Sequence, residues 1–298
     1  MSRVTRGTPA GDAYLDLQNQ ARRAGRPTQE LLQLYVLEGF LSRLSASVHR
    51  GRFVLKGGVL LAAFESRRPT KDVDLAGLGV PNDAADVTVL VQEVLATTLP
   101  DDDGISFAAD TATADVIREE DDYSGVRVSV EARIATASLP FHVDVNVGDP
   151  IWPAPTTVTI PRLRGGVPIE LPGYPIHMVH AEKIVTAIQR GTANTRWRDF
   201  GDIWTLSRHH PIHGDDLAQA ISDVARHRNT TIRPLAHVLD GFAELGQAPW
   251  TRWRRRSNAD HLPDQFETVL QAVISFADPA LQGHTAGSKW NPSTASWT

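Results

Sequence analysis

Two aspartates separated by one residue, Asp72 and Asp74, are the pair in this sequence best suited to chemistry. They lie in the alternating segment 71–75, which predicts a β-strand, and side chains two residues apart on a strand point to one face. Two like charges so close together are unfavourable unless a cation or a basic group lies between them. A hard divalent ion such as Mg²⁺ or Mn²⁺ prefers oxygen ligands and keeps waters for a phosphate. We therefore predict a metal site at Asp72 and Asp74.

A further carboxylate, Asp144, lies in the segment 141–147, where apolar and polar residues also alternate. A carboxylate that points inward from an apolar strand needs a partner. Asp144 would complete the metal cluster if its strand lies beside the strand of Asp72. For an Asp-x-Asp pair on its own the alternative is a solvated strand edge, and the spacing alone leaves that alternative open.

A glycine pair precedes the aspartates. Lys56, Gly57 and Gly58 follow a predicted strand at 53–55 and precede a predicted apolar helix at 59–64. Since glycine has no side chain, backbone N–H groups there can approach an anion at the start of the helix. A plain turn is the alternative, because that is what a lone Gly-Gly pair usually forms.

The elements that must position these residues follow from hydrophobic periodicity. Residues 12–47 predict two helices and residues 82–98 a third, whereas the alternation across 105–147 predicts neighbouring strands with an antiparallel pair. After Met178 the sequence predicts helices only, at about 178–190, 199–209, 214–227, 232–245 and 261–277. The expected fold class is therefore α/β (α+β), a mixed sheet followed by an all-helical C-terminal region.

This change of pattern divides the chain into two predicted domains. Residues 1–160 form an N-terminal domain with two leading helices, and residues 161–282 form a helical C-terminal domain, with the junction somewhere in 150–175. Gly, Ser, Thr and Pro are frequent in residues 283–298, which predicts a flexible tail.

Composition narrows the class of protein. Hydrophobic residues make up 41% of the 298 residues and the formal net charge is −5, which are values typical of a globular chain. The sequence contains no cysteine, which excludes a disulfide scaffold, a thiolate metal site and a cysteine nucleophile. The longest apolar run, 59–64, is far shorter than the ~18 residues of a membrane-spanning helix. We expect a soluble, cytoplasmic protein without membrane association.

The order of these parts resembles that of nucleotidyltransferases of the polymerase-β type. The run KGGVLLAAFESRRPTKDVDL is similar to the first motif of the AbiEii/MenT toxin nucleotidyltransferases, which belong to bacterial toxin–antitoxin and abortive-infection systems. That motif, Gly-Gly and then Arg-x-Ser/Thr-x-Asp-x-Asp, is matched by Gly57, Gly58, Arg68, Thr70, Asp72 and Asp74. The later motif of the family is a helical Lys followed by Arg-x-Lys/Arg-Asp-x-x-Asp. It is matched by Lys183, Arg196, Arg198, Asp199 and Asp202, so that the resemblance covers about residues 50–205.

The resemblance implies a polymerase-β-type core, an NTP substrate and Mg²⁺. It also implies transfer of NMP to the 3′ end of tRNA, which blocks translation, and a cognate antitoxin as partner. The nucleotide-binding residues that it implies are Lys56, Gly57, Gly58, Arg68, Thr70 and Lys183. The implied metal ligands are Asp72, Asp74 and Asp144. The implied catalytic residues are these three aspartates together with Lys183 and Asp199. Asp144 would activate the acceptor hydroxyl as a ligand or as a general base. Thr70 corresponds to the family's regulatory hydroxyl, whose phosphorylation would add about −2 charge where the triphosphate enters.

The residues of the later motif have simpler interpretations from periodicity alone. Lys183 points away from the apolar face of its predicted helix, which favours a solvated lysine whose removal costs little stability. Asp199 lies just before an apolar helical pattern, which favours a helix cap. Asp202 follows one turn later on the same side, so the two acids could act together.

Basic residues cluster at Arg252 and Arg254–Arg256, among Trp250 and Trp253, and again at Arg196 and Arg198. This pattern is typical of a surface that contacts an RNA backbone, with the tryptophans as a stacking platform for bases. The alternative is a solvated helix face with the tryptophans packed in the core. Five histidines also cluster, and we expect them in the core or on the surface rather than on a metal. They are His177, His180, His209, His210 and His213.

Two other functions stay open. A nucleotidyltransferase that modifies a small molecule would share the same metal chemistry, although the arginine-rich segment weighs against a small acceptor. A non-catalytic binding module with a degenerate site is the second alternative, and the presence of Asp72, Asp74 and Asp144 argues against it.

Overall fold

Two helices open the chain, as the sequence predicts. In this computed structural model, which describes residues 3–119 and 123–298, helix α1 spans Pro9–Arg23 and α2 spans Thr28–Ala46. Thr8 caps α1 by accepting a hydrogen bond from the Gly11 N–H, whereas Thr28 is the first residue of α2 rather than its cap. Helix α2 is buried on most of its sides because α1, α4 (Ala84–Leu95) and two strands of the sheet pack around it.

A single mixed sheet follows. Its strands are β1 (Phe53–Lys56), β2 (Asp72–Gly77), β3 (Ile105–Phe107), β4 (Thr113–Glu119), β5 (Tyr123–Ile134), β6 (Ala137–Val147), β7 (Thr156–Ile160) and β8 (Ile169–Gly173). They lie in the order β3-β5-β6-β2-β1-β8-β7, with β4 on β5. The β2–β6 and β1–β8 pairs are parallel and the others antiparallel. Helix α3 (Gly57–Leu60) continues directly from β1 and ends in a short 3₁₀ turn.

The two faces of this sheet differ in polarity. Alternate residues of β2, β5 and β6 are apolar and buried, namely Val73, Leu75, Val126, Val128, Val143 and Val145. The residues between them carry the polar side chains, because side chains alternate between the faces of a strand. One face therefore builds the hydrophobic core while the other presents charged groups.

The chain forms two compact units. The N-terminal unit comprises Met1–Gly148 and Thr156–Gly173, and the C-terminal unit comprises Asp149–Pro155 and Tyr174–Thr298. The β7–β8 hairpin belongs to the N-terminal unit, so it crosses the domain boundary that the sequence predicts at residue 160. Within the described ranges, no helix has both the length and the apolar character needed to cross a bilayer.

The C-terminal unit is mainly helical, as predicted. Its helices are α5 (Ile176–Arg190), α6 (Trp197–His209), α7 (Gly214–His227), α8 (Leu235–Val238), α9 (Phe242–Arg256) and α10 (Phe266–Leu281). The single helix predicted at 232–245 is wrong. Gly241, at φ +72, separates the short α8 from α9, and α9 continues to Arg256.

The end of the chain differs from the flexible tail that the sequence predicts. Strands β10 (Lys289–Asn291) and β11 (Ser296–Trp297) form a small sheet with β9 (Ile212–His213), so the region after Met178 is not helical throughout. Trp290 is buried, and its indole N–H donates to the Ser207 carbonyl at 2.6 Å. Aromatic burial thus anchors a segment whose composition is otherwise that of a loose terminus.

Candidate active site

Charged residues lie side by side across four neighbouring strands of the sheet. Lys56 on β1 is in register with Asp74 on β2, and Asp74 is in register with Asp144 on β6. Asp144 is in turn opposite Arg127 on β5. Because cross-strand partners present their side chains on the same face, the row has the charges plus, minus, minus, plus. The strand of Asp144 therefore lies beside that of Asp72 and Asp74, which is the condition that the sequence set for a three-aspartate cluster.

The carboxylate of Asp74 lies against the glycine pair. The Gly58 N–H donates to Asp74 Oδ2 at 3.4 Å, and a Cβ on Gly57 would lie 1.8 Å from the same oxygen. Gly57 also has φ +66, a conformation that favours glycine. The anion that this backbone approaches is thus a carboxylate of the protein itself, a partner that the sequence did not reveal.

The charge of Asp74 is held in an unfavourable setting. Burial raises its pKa, Lys56 acts against this shift, and the negative charges of Asp144 and Asp72 add to it. A cation bound here would relieve that repulsion, since an opposite charge within a few ångströms favours the ionised carboxylate.

The connector before β2 folds over Gly58. A Cβ on Gly58 would lie 3.0 Å from Thr70 Oγ1 and 3.2 Å from an Arg68 guanidinium nitrogen. The Thr70 hydroxyl donates to the Asp72 carbonyl at 3.4 Å. The first-motif residues are therefore brought together in the N-terminal unit, as the sequence predicts.

Glu38 on α2 anchors this connector and was not found from the sequence. It is buried, accepts a hydrogen bond from Arg67 at 2.6 Å, and accepts two more from the Leu163 N–H. Burial raises its pKa, although Arg67 and the Leu163 N–H oppose the shift. A charged residue in an apolar helix was the available signal, since such a residue needs a partner.

Arg127 is the second functional candidate that sequence reasoning missed. Its Nε donates to Asp144 Oδ1 at 2.7 Å and its Nη2 donates to Oδ2 at 2.6 Å. This hydrogen bonding raises the pKa of Arg127 above its ordinary value, and the charges of Asp72 and Asp74 contribute. The only signal was a single arginine at a polar-face position between Val126 and Val128.

The donor chemistry of Asp72 and Asp74 fits a hard divalent cation. Mg²⁺ is usually held by one or two carboxylates together with substrate phosphates and waters. Within residues 3–119 and 123–298, no group of three histidine, aspartate or glutamate side chains could hold a metal ion. Asp144 as a third ligand therefore stays a prediction, because in this structure both its oxygens face Arg127.

The later motif forms a buried ion cluster in the C-terminal unit. Lys183 Nζ on α5 donates to Asp199 at 2.9 Å and to Asp202 at 2.8 Å, both on α6. Arg196 Nε donates to the other Asp199 oxygen at 2.6 Å. Burial acts to raise the pKa of Asp199, but Lys183 and Arg196 together hold it well below its ordinary value.

Two interpretations from periodicity are thereby corrected. The Lys183 side chain is 13% exposed and paired, so it is not a solvated lysine. Asp199 is not a helix cap either, since Arg196 occupies the cap position of α6. Asp199 and Asp202 bind the same ammonium group, and their joint action in the reaction stays a prediction.

The predicted RNA-contact residues separate into exposed and buried groups. Arg198, Arg252, Arg255 and Arg256 are exposed. Arg196 forms an ion pair with Asp199. Arg254 is buried and ion-paired with Asp264, so its assignment as an RNA contact is wrong. Trp250 is also fully buried, packs on Phe266, and donates its indole N–H to the Pro263 carbonyl at 3.0 Å. Positions 250 and 254 lie one turn apart on the inner side of α9.

The fold and the row of charges define a class of protein. A mixed sheet with a Gly-Gly turn, an Asp-x-Asp strand and a later single-Asp strand, followed by helices, is the architecture of a polymerase-β-type nucleotidyltransferase. A family model described as the nucleotidyl transferase AbiEii toxin of type IV toxin–antitoxin systems matches residues 39–272. The chain therefore belongs to the AbiEii nucleotidyltransferase toxin family.

Solved structures also match the chain. One is a Helicobacter pylori protein assigned as a nucleotidyltransferase, at 14% identity and a TM-score of 0.49, covering 86% of this chain and 97% of that one. Another is JHP933 from Helicobacter pylori, at 14% identity and a TM-score of 0.49, covering 87% of this chain and 96% of that one. No curated protein matches the chain.

Proposed function

We propose that this protein transfers NMP from an NTP to the 3′ end of tRNA with Mg²⁺ or Mn²⁺, acts in the cytoplasm and thereby blocks translation. The observation that carries the proposal is the placement of Asp74 against Gly57 and Gly58, with Asp72 two residues away on the same strand, in a chain of the AbiEii family. A cognate antitoxin is the expected protein partner, since the family belongs to toxin–antitoxin systems.

Asp72 and Asp74 would hold the divalent cation. When bound, the ion supplies charge neutralisation at the triphosphate and at the attacking and leaving oxygens. Lys56, in register with Asp74, and Arg68, over Gly58, place positive charge beside those carboxylates. A polyanionic substrate is therefore attracted to this face of the sheet once the aspartates are neutralised.

The reaction forms one bond and breaks one bond at the α-phosphorus. The 3′-hydroxyl oxygen of the acceptor bonds to that phosphorus and passes its proton to water, while the bond to the bridging oxygen breaks and pyrophosphate leaves. Lys56 and Arg68 stabilise the negative charge that accumulates on the leaving phosphates. Lys183 and Asp199 stay predictions for this step, and their observed role is to form the buried ion cluster.

Thr70 is a candidate site of regulation. Its hydroxyl lies close to Gly58 and to the backbone of Asp72. A phosphate on Thr70 would add about −2 charge beside carboxylates that already repel one another. Modification there would oppose entry of the triphosphate.

Exposed arginines support a nucleic acid as the acceptor. Arg252, Arg255 and Arg256 are exposed on the last turns of α9, and Arg198 is exposed on α6. Such a surface can contact phosphates without base readout. A small acceptor would need no basic surface of this kind.

The test is transfer of label from α-³²P-labelled NTPs in the presence of Mg²⁺. The protein is incubated with total tRNA, with tRNA whose 3′-terminal diol has been destroyed by periodate, or with small hydroxylated acceptors. The proposal predicts label in intact tRNA and none in oxidised tRNA. Label in small acceptors alone would support an antibiotic-type transferase, and no label in any acceptor would support a non-catalytic module.

A further inference from the structure

We propose that Asp144 is a positioning residue for Arg127, and that Arg127 binds the triphosphate of the nucleotide. This inference rests on the proposed function and assigns Asp144 a role different from that of a third metal ligand. It concerns only the N-terminal unit, where both residues lie on adjacent strands.

The geometry of the pair fixes the guanidinium. Both oxygens of Asp144 accept hydrogen bonds from Arg127, at 2.7 and 2.6 Å, in the parallel two-bond arrangement that arginine forms with carboxylates. The strands of the two residues are directly hydrogen-bonded to each other. The arginine side chain is therefore held at both its backbone and its tip.

The guanidinium retains donors for a second anion. Arginine has five N–H donors, and two of them bind Asp144. Among the described residues, the other N–H groups of Arg127 have no hydrogen-bond acceptor, including its register partner Asp115 on β4. The Arg127 side chain is 37% exposed, whereas that of Asp144 is 9% exposed. A fixed, partly exposed guanidinium with free N–H groups matches the geometry of a phosphate.

The charges around the pair favour a polyanion that arrives with a cation. The site contains the negative charges of Asp72, Asp74 and Asp144 and the positive charges of Lys56, Arg68 and Arg127, which gives −3 + 3 = 0. A divalent cation changes this to +2. The site therefore attracts a triphosphate more strongly when the cation is bound.

The experiment separates metal binding from nucleotide binding. Binding of Mn²⁺ alone is measured by electron paramagnetic resonance, and binding of each of the four α,β-methylene NTPs with Mn²⁺ is measured by calorimetry. The variants are Arg127→Gln, Arg127→Lys, Asp144→Asn and the double variant Arg127→Gln/Asp144→Asn. Asp115→Asn serves as the matched control, because Asp115 lies opposite Arg127 without binding it.

We expect Asp144→Asn to bind Mn²⁺ within about twofold of the wild type, since the ligands are Asp72 and Asp74. Asp144→Asn and Arg127→Gln should each weaken binding of the analogue by about tenfold or more, the effect of one charged hydrogen bond. The double variant should be no weaker than Arg127→Gln, because Asp144 acts through Arg127. Arg127→Lys should also bind weakly, since an ammonium group cannot form the two-bond arrangement.

Two results would overturn this inference and leave the proposed function standing. One is loss of Mn²⁺ binding in Asp144→Asn to the extent seen in Asp74→Asn, which would make Asp144 a metal ligand. The other is unchanged analogue affinity in both Arg127 variants. If the wild type binds none of the four analogues with Mn²⁺, the proposed function fails and the inference fails with it.

Discussion

Asp74 and Asp144 lie in register on two parallel strands, yet their carboxylates are stabilised by different partners. Asp74 accepts a hydrogen bond from the Gly58 N–H and lies opposite Lys56. Asp144 accepts two hydrogen bonds from Arg127 on the other side. The sheet therefore holds two like charges side by side by placing one cation beyond each of them.

The contact between Gly57 and Asp74 predicts a steric effect that differs from backbone strain. Gly57→Ala places a methyl group 1.8 Å from the Asp74 carboxylate at φ +66, whereas Gly79→Ala at φ +61 meets no atom within 4 Å. Gly79→Ala should therefore lower the stability only by the strain of alanine in the left-handed conformation, about 1–2 kcal/mol. Gly57→Ala should cost more and weaken Mn²⁺ binding at least tenfold. Urea unfolding followed by circular dichroism and Mn²⁺ titration check this, and equal effects of the two substitutions would contradict it.

The ion cluster of the C-terminal unit predicts a large loss of stability in Lys183→Ala. Removing Lys183 leaves Asp199 and Asp202 buried without their shared cation, which typically costs about 3–5 kcal/mol. All 7 tryptophans lie in the C-terminal unit, so unfolding can be followed by tryptophan fluorescence. Lys289→Ala, at an exposed position, is the control and should change stability by about 0.5 kcal/mol or less. If Lys183→Ala lowers the free energy of unfolding no more than this control does, the ion cluster does not stabilise the fold.

Buried His180 predicts acid sensitivity of the same unit. It is fully buried against Phe276, and among the described residues neither ring nitrogen has a hydrogen-bond partner. Burial lowers its pKa to about 3, and the charges of His177, Lys183 and His210 contribute. The unfolded chain takes up a proton below pH ~6.5 that the folded protein does not, so stability is lost as the pH falls from about 6.5 towards 3.

At pH 5 this difference amounts to about 2 kcal/mol. His180→Leu should remove that part of the pH dependence between pH 7.5 and pH 5, whereas His237→Gln, at an exposed position, should retain it. Urea unfolding by tryptophan fluorescence at the two pH values measures it directly. The same pH dependence in His180→Leu and in the wild type would assign the acid sensitivity to other groups.

Local patterns in the sequence predicted one part of the site, and contacts between distant segments determined the rest. The shared face of Asp72 and Asp74 follows from strand alternation, which neighbouring residues determine. Arg127 was missed because a single arginine on the polar face of a strand has the pattern of a surface residue until its partner strand is known. Lys183 was misjudged for a related reason, since helical phase locates the apolar face but not a carboxylate on another helix. The tail was misjudged in the same way, because its composition does not reveal that Trp290 packs into the core of the C-terminal unit.

The exposed arginines of α9 predict a salt-dependent contribution to RNA binding. Replacing Arg252, Arg255 and Arg256 by Gln should weaken tRNA binding and reduce the slope of log affinity against log salt by roughly 0.7–0.9 per lost phosphate contact. Arg254→Gln should instead lower stability, because Arg254 is buried with Asp264. Titration with tRNA at several salt concentrations gives the slopes. Equal slopes in the wild type and the triple variant would place the acceptor surface elsewhere.

Nucleotidyl transfer by Asp72→Asn and Asp74→Asn tests whether these two carboxylates form the active site, with Asp110→Asn, at an exposed position, as the control. Because burial raises the pKa of Asp74, its ionised form is unfavourable in the folded protein, so Asp74→Asn should melt no lower than the wild type at pH 7. We expect both active-site variants to fold and each to lose transfer of label to tRNA by at least about a hundredfold, whereas Asp110→Asn should transfer normally. Near-wild-type transfer by either Asp72→Asn or Asp74→Asn would contradict the placement of the active site.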